Sequence, residues 1–264
     1  MSTSTRYDDL VSRNWAFIPS DIQQRMRNSR ILLAGCGLGC NIARDLAAMG
    51  FGKFIAIDGD VVEASNLNRQ AYHGQYIGWK KAEATADTIH SINPGAEIEI
   101  VNEYIEDLGQ IRSLIEQSDF VLNTVDYHTP VFLTLTDYAQ ELGKTVFFPT
   151  NIGYGAIVMV FDSNSLSMSD YLKVDKGAKC DLSLFLKRIA QDYLPDNLVP
   201  LYEQVLDGTG KWASVPQIMP GASLVSALVS TMVVKILCGQ KINVAPDFYT
   251  LDTWGGRSYY ESQD

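Results

Sequence analysis

The sequence predicts an α/β protein with a doubly wound, mainly parallel sheet and helices on both faces. Three observations lead to this fold class. At least six short apolar runs alternate with helical patterns along the chain. The first run, at 30–34, is followed at once by a glycine-rich loop, and the second, at 54–57, ends in an acid, Asp58. Strand, glycine loop, helix, strand and acid is the order of a nucleotide-binding β-α-β unit.

The glycine loop is the sequence Gly35-Cys36-Gly37-Leu38-Gly39. Glycines allow the backbone to approach a phosphate, and the following helix directs its free N–H groups and its positive dipole end at the same anion. Asp58 lies 23 positions (58 − 35) after Gly35, about the separation at which an acid contacts a ribose hydroxyl. Gly35, Gly37, Gly39 and Asp58 are therefore predicted to bind a nucleotide in a Rossmann-like sheet.

Composition argues against several classes of protein. The chain has 264 residues, enough for one large α/β domain, and a net charge of −10, which disfavours nucleic acids and anionic membranes as partners. Its four cysteines form no C-x-x-C pair, so we expect a reduced, cytoplasmic protein without a structural zinc site. No secretory segment is visible in the first thirty residues.

The elements follow in order along the chain. Residues 1–29 are predicted to be a polar N-terminal arm with a short helix at 22–26, capped by Ser20 and Asp21. Residues 30–264 are predicted to form the nucleotide-binding domain, with an insert of weak pattern at about 162–215. The further predicted strands are 97–101, 120–122, 145–148, 156–161 and 248–252, and the predicted helices are 41–49, 79–91, 108–116, 130–142, 182–192 and a buried apolar one at 222–238.

Polar side chains gather in the loop that follows the second strand and at the ends of its neighbours. Residues 61–78 carry Asn66, Arg69 and Gln70, so this loop is either well solvated or built to hold an anion. Lys81 is expected in the first turn of a helix, where a cation is unfavourable unless an anion lies nearby. Asp126 follows the strand at 120–122, on the edge of a parallel sheet where ligands bind.

The combination of motifs is more specific than the glycine loop alone. Besides that loop, the chain contains Asp58-Gly59-Asp60-Val61-Val62, Ser65-Asn66-Leu67-Asn68-Arg69-Gln70, Gly78-Trp79-Lys80-Lys81, Ile92-Asn93-Pro94 and Val125-Asp126. With these motifs the chain resembles the ThiF/MoeB/HesA superfamily, which includes the ubiquitin-activating enzymes and the adenylating enzymes of thiamine and molybdopterin biosynthesis. The similarity extends from about residue 12 to 161 and, more weakly, over 216–239.

The resemblance implies a role for each matching residue. Asp58 would bind the ribose, and Asp126 would hold a magnesium ion. Arg13 alone has the pattern of a solvated arginine, but it matches the family's N-terminal arginine, which can reach an active site across a dimer. The residues implied to contact phosphate are Asn66, Arg69, Gln70 and Lys81.

The activity implied by the resemblance is ATP-dependent adenylation of a carboxylate with ATP and Mg²⁺ as cofactors. The carboxylate would be the C-terminus of a ubiquitin-like protein or a peptide, and the enzyme would act as a homodimer or beside a related chain. Three alternatives remain open. The chain could be a non-catalytic scaffold half of a heterodimeric activating enzyme, it could adenylate a small-molecule or tRNA-linked carboxylate, or it could be a nicotinamide oxidoreductase.

The chain departs from the family pattern in several places. Its glycine loop is one residue shorter than Gly-x-Gly-Gly-x-Gly, Tyr127 replaces a small polar residue, and the two zinc-binding cysteine pairs are missing. Cys180 in the insert is either a nucleophile that takes the acyl group as a thioester or an unpaired thiol without a role. Lys176 and Lys179 would lower the pKa of this thiol, whereas the neighbouring Asp181 would raise it.

Overall fold

Eight strands form one sheet in the computed structural model, which describes residues 7–125, 131–176, 178, 184, 188, 203–204, 216–255 and 257–260. The strands are β1 (Arg30–Ala34), β2 (Lys53–Ile57), β3 (Glu97–Val101), β4 (Phe120–Asn123), β5 (Thr145–Ile152), β6 (Gly155–Phe161), β7 (Phe248–Asp252) and β8 (Arg257–Tyr260). Their order is β3-β2-β1-β4-β5-β6-β7-β8. The first five are mutually parallel, and β6 to β8 continue as antiparallel neighbours. The predicted fold class is confirmed.

Helices cover both faces of the sheet. They are α1 (Tyr7–Leu10), α2 (Ser20–Asn28), α3 (Gly37–Ala48), α4 (Lys81–Ile92), α5 (Leu108–Gln117), α6 (Val131–Glu141), α7 (Met168–Leu172) and α8 (Met219–Leu237). Alternate residues of each central strand belong to two separate cores: Leu33 packs with α2, α3, α4 and α8, whereas Leu32 packs with α5, α6 and α7. This is the arrangement expected when a parallel sheet is buried on both faces.

The N-terminal arm packs against the first of these faces. Ile18, Ile22 and Met26 are buried in the same core as α3 and α8. The helix is longer than predicted, and its N-cap is Pro19 rather than Ser20 or Asp21. Burial of an apolar stripe, instead of a side-chain cap, therefore determines where this helix begins.

The helix after the glycine loop also begins earlier than predicted. It starts at Gly37 and not at Asn41, so part of the glycine loop is its first turn. Glycine has a low intrinsic helix propensity, which is why the pattern placed the start later. The packing of this turn against the strands on either side overrides the propensity.

The apolar stretch predicted at 222–238 is confirmed as a helix of the core. In the described part of the chain, α8 is the one helix that is long and apolar enough to cross a membrane, and half of its apolar stretch is buried inside the fold. It packs on α3, β5 and β6. The predicted helix at 182–192 lies almost entirely outside the described residues.

The strand order creates a crevice at one edge of the sheet. The chain leaves β1 for β2 on one side and later returns to place β4 on the other side of β1. Connections that depart in opposite directions leave a gap at the carboxyl ends of such strands, and ligands of doubly wound sheets bind there. The loop after β1 and residues Thr124 and Val125 after β4 border this gap.

The buried carboxylate of Asp137 in α6 binds the first turn of α7 by hydrogen bonds. Its carboxylate accepts hydrogen bonds from the backbone N–H of Met168 (2.8 Å) and Ser169 (3.3 Å) and from the Ser169 hydroxyl. We expect Asp137→Ala to lower the free energy of unfolding by about 2–3 kcal/mol, because the buried donors are left without an acceptor. Glu141→Ala on the same helix removes an exposed ion pair with Lys176 and should cost much less, because solvent screens this pair. Urea denaturation of both variants measures the difference, and equal losses would contradict this account.

Candidate functional site

The glycine loop turns sharply at Gly35, directly above the end of β4. Gly35 has φ +94°, and a Cβ atom there would lie 2.6 Å from the backbone oxygen of Thr124. The Thr124 hydroxyl donates to the carbonyl of Gly35 (2.8 Å), and the Thr124 N–H donates to Ala34 (2.8 Å). The loop is therefore held against the crevice by the residue that follows β4.

Asp58 holds the same loop from the other side. One carboxylate oxygen accepts the N–H of Cys36 (2.8 Å), and the other accepts the N–H of Asp60 (2.8 Å). Each oxygen keeps a free lone pair, so a ribose hydroxyl could still bind. The structure thus gives Asp58 a role in shaping the turn, which its position in the sequence did not predict.

The polar loop at 61–78 is anchored to α3 by Asn41. The Asn41 amide donates to the carbonyl of Arg69 (3.0 Å), and its oxygen accepts the N–H of Ala71 (3.0 Å). The buried Tyr72 hydroxyl donates to the carbonyl of Cys36 (2.6 Å). The loop is therefore an ordered wall of the crevice rather than a solvated connection.

Arg69 and Gln70 each present a buried polar atom without a partner among the described residues, Nε of Arg69 and Oε1 of Gln70. Burial lowers the pKa of the Arg69 guanidinium, whose Nη1 donates to the carbonyl of Ser65 (3.0 Å). The Gln70 side chain lies beside Gly37, where an added Cβ would be 3.0 Å from Nε2. Buried polar atoms in native proteins are normally paired. These atoms next to the glycine loop are consistent with a site for a polar ligand.

Asn66, which is predicted to contact a phosphate, has a structural role in its own loop. Its side-chain oxygen accepts the N–H of Glu63 (3.0 Å), which closes the short turn at Ala64–Asn66. Its side chain is buried within its own loop. The structure gives Asn66 the task of shaping the loop that carries Arg69.

Lys81 begins α4 as predicted, and the compensating anion is Asp60. Lys81 Nζ lies 2.9 Å from Oδ2 of Asp60, and the Tyr104 hydroxyl donates to Oδ1 (2.6 Å). Burial raises the pKa of Asp60, but the hydrogen bond from Tyr104 and the ion pair with Lys81 outweigh it and hold the pKa below its ordinary value. Lys80 donates to the carbonyl of Gly59 (2.8 Å), so both lysines lie at the end of β2.

This cluster predicts a pH effect that depends on Tyr104. Because the pKa of Asp60 is lowered by folding, its contribution to stability is complete above the unfolded value and is lost as the pH falls through the folded value. Tyr104→Phe removes the hydroxyl donor, so we expect the pKa of Asp60 to rise towards its ordinary value. The stability that this carboxylate contributes above its unfolded pKa, and loses on acidification, should therefore become smaller. NMR titration of the Asp60 carboxyl carbon measures this. An unchanged titration would show that Tyr104 has no influence on the carboxylate.

The set of donors around the glycine loop fits a polyanionic ligand such as a nucleoside triphosphate. The site combines a backbone turn that excludes Cβ atoms, a helix start and two cationic side chains. Within the described ranges, no group of three or more His, Cys, Asp or Glu residues could hold a metal ion. Asp126, the predicted magnesium ligand, lies outside the described residues, as does Cys180, the candidate nucleophile.

Arg13 is not part of this site within its own chain. It is exposed, and the neighbouring Asn14 donates to the carbonyl of Met49 (3.1 Å) at the far end of α3. A helix of 12 residues is about 18 Å long, so the glycine loop is distant. Any contact of Arg13 with a nucleotide would require a second chain.

Cys36 in the glycine loop and Cys40 directly after it are both buried. Burial raises the pKa of Cys40 to about 11 and that of Cys36 well above the ordinary thiol value, with a further rise for Cys36 from the nearby Asp58. Both thiols therefore stay protonated at neutral pH and serve as packing groups.

Several residues of the site were not identified from the sequence. Thr124 follows β4, which ends at the crevice, and this position in the sequence could have identified it as a residue of the site. Asn41 and Tyr104 carried no signal, because their partners are 28 and 44 positions away in the chain. Such contacts exist only after the strands have assembled.

Comparison with known proteins agrees with this geometry. A model of the ThiF family matches residues 11–263. The chain is 37% identical over 124 residues to the molybdopterin-synthase adenylyltransferase of Escherichia coli K12, covering 46% of this chain and 48% of that protein. It is 36% identical over 123 residues to the SAMP-activating enzyme E1 of Haloferax volcanii, covering 46% and 45%. The chain thus spans about half the length of these curated relatives.

The fold also matches a solved structure, that of MccB from E. coli with AMPCPP and MccA. The TM-score is 0.65 at 15% identity, and the match covers 90% of this chain and 64% of the other. At this identity the likeness concerns the fold alone. It extends over more of the chain than either sequence match.

Proposed function

The chain belongs to the ThiF family, and from this premise we propose that it is an ATP-dependent adenylyltransferase that activates a carboxylate. The observation that carries the proposal is a glycine turn at the switch point of the sheet, held by Asp58, which also binds the N–H of Asp60, the partner of Lys81. Arg69, with a buried Nε that no described residue pairs, lies in the neighbouring loop. Binding of a nicotinamide dinucleotide would not require two cationic side chains at this place, one of which, Arg69, has a buried Nε that no described residue pairs. The names of the relatives support the reaction class, since both are activating or adenylyltransferase enzymes.

The proposed reaction is the attack of a carboxylate oxygen on the α-phosphorus of ATP. The bond from the α-phosphorus to the bridging oxygen breaks, and pyrophosphate leaves as the acyl-adenylate forms. Two anions must approach each other, so the barrier is largely electrostatic. Arg69 and the two N–H donors of the Lys81 ammonium that no described residue accepts would offset this charge. A magnesium ion on Asp126, which the family pattern implies, would neutralise the triphosphate.

We further propose that the carboxylate is the C-terminus of a ubiquitin-like protein or a peptide. The SAMP-activating relative and the MccB complex with MccA support a polypeptide donor. We also propose that the enzyme works as a dimer, because Arg13 reaches no nucleotide site within its own chain.

ATP–pyrophosphate exchange with wild type and Asp126→Ala tests the proposal against candidate carboxylates. Exchange that requires both a carboxylate and Asp126 supports adenylation, and the donor that promotes it identifies the substrate class. If ATP binds but no donor supports exchange, the scaffold function is favoured instead. Binding of a nicotinamide dinucleotide in place of ATP would overturn the assignment of Arg69 and Lys81.

A further inference from the structure

The crevice continues from the predicted phosphate side to the carboxyl end of β5. The first turn of α8 makes this connection. The Asn68 amide donates to the carbonyl of Gln217 (2.8 Å), and the Asn41 amide lies 3.9 Å from the sulfur of Met219. Two residues further, Gly221 packs on the turn between β5 and β6. The start of α8 therefore borders both the loop of Arg69 and the end of β5.

β5 extends past its neighbour at this edge. It pairs with β4 over residues 145–147, whereas its pairing with β6 runs from Val146 to Ile152. The register places Phe148 opposite the last residue of β4, so Asn151 is three residues, about 10 Å, beyond the end of that strand. The end of β5 is thus a wall beside the crevice.

The side-chain amide of Asn151 is buried, and its NH2 group donates no hydrogen bond to a described residue. It is 5% exposed, and its Nδ2 has no hydrogen-bond partner among the described residues. Its side chain faces α8, because a Cβ on Gly221 would lie 3.4 Å from the Cβ of Asn151. A buried unpaired amide is costly unless a ligand pairs with it.

The start of α8 adds a second group of donors. The first N–H groups of a helix have no acceptor within it, and no described side chain caps α8. Pro220 has no N–H, so the donors of this first turn are those of Met219 and Gly221. The backbone approaches closely here, since a Cβ on Gly221 would lie 2.5 Å from the carbonyl of Gly153. Helix N-termini favour anions. The donors of α8 and Asn151 together suit a carboxylate.

Two exposed aromatic rings lie at the rim of the same edge. Because β5 and β7 run in the same direction, the turns after them meet on the carboxyl side of the sheet. Tyr154 and Trp254 stack at 4.9 Å between ring centroids and are 41% and 69% exposed. The turns are fixed, since Thr253 donates to the carbonyl of Tyr154 (2.9 Å) and Asp252 accepts the N–H of Trp254 (3.1 Å).

We propose that Asn151, the start of α8 and the Tyr154–Trp254 pair form the binding site for the carboxylate donor, which is a peptide chain with a free C-terminus. The carboxyl end lies at Asn151 and the start of α8, and an apolar side chain upstream packs on the two rings. This inference rests on the proposed adenylation and specifies where its second substrate binds. Phosphates and carboxylate then approach each other from opposite sides of the crevice.

Photocrosslinking tests the site with a defined probe, N-acetyl-4-benzoylphenylalanyl-glycyl-glycine with a free carboxylate, in the presence of a non-hydrolysable ATP analogue. We expect crosslinks at residues 153–155 or 252–255, mapped by mass spectrometry. The same peptide with a C-terminal amide should crosslink about tenfold less, because the charged acceptor is lost. Crosslinks confined to other segments, or none at all, would overturn the proposal.

Variants separate the two parts of the site. Asn151→Ala should lower crosslinking of the carboxylate probe about tenfold and that of the amide probe much less. Trp254→Ala should lower both about fivefold. Leu142→Ala removes an exposed apolar residue before β5 begins, at the opposite edge of the sheet, and should change neither. Unchanged crosslinking in Asn151→Ala and Trp254→Ala would refute the site.

The adenylation reaction itself is assayed separately by pyrophosphate exchange. Exchange together with crosslinks elsewhere would refute the binding site and leave the activity intact. Crosslinking at the proposed site without exchange for any donor would instead count against the activity.

Discussion

Lys81→Met lowers ATP–pyrophosphate exchange by on the order of a hundredfold, if the ammonium of Lys81 stabilises the transition state as proposed. Lys81 is 8% exposed, and its Nζ lies 2.9 Å from Asp60 at the end of β2. The ion pair aims a buried cation at the crevice and uses one of its three N–H donors. Methionine keeps the apolar stem of the side chain, so the packing of α4 should be preserved while the charge is lost.

Exchange is measured with the carboxylate that supports it in wild type, together with the affinity for a non-hydrolysable ATP analogue. Lys144→Met serves as a control, since this lysine donates to the carbonyl of Glu116 (2.8 Å), away from the crevice. The control should retain wild-type exchange. A Lys81→Met enzyme that also exchanges at the wild-type rate would exclude this lysine from the reaction.

Gly35→Ala abolishes nucleotide binding and lowers the free energy of unfolding by about 2–4 kcal/mol. The φ of +94° is unfavourable for any residue with a side chain, and the new methyl group would lie 2.6 Å from the backbone oxygen of Thr124. Backbone at this position has no room to move, because β1 and β4 are paired on either side of the contact. The turn must therefore open, which would displace the N–H groups proposed to bind the phosphates.

Gly39→Ala is the matched control for this prediction. A Cβ there would lie 3.4 Å from the Thr124 hydroxyl, an ordinary contact, and the residue is inside α3. Alanine is favoured over glycine in a helix, so stability should be unchanged or higher by up to about 1 kcal/mol. Urea denaturation and titration with an ATP analogue compare the two variants. Equal loss in both would show that the whole loop, and not the Gly35 turn, is sensitive to side chains.

The order of elements and the position of the glycine turn could be predicted from local pattern. Gly35 and Asp58 follow apolar strands, and Lys81 has an unfavourable charge for the first turn of a helix, which indicated an anion close to it. The structure supplies an anion from within the chain, Asp60, which the pattern did not identify. Asn66 closes its own loop through a hydrogen bond that its place in the motif did not predict, and its contact with a phosphate stays a prediction.

The fold class, the glycine loop and the residues matching the family can be predicted from local pattern, because strand periodicity, glycine spacing and short motifs are local properties of the chain. Which side chains meet depends on the assembled fold. Asn151 lies beside Gly221, and Tyr154 stacks on Trp254, across 70 and 100 positions (221 − 151 and 254 − 154). Such pairs depend on strand order and register, which bring distant segments to one edge of the sheet, and no short window of sequence records them.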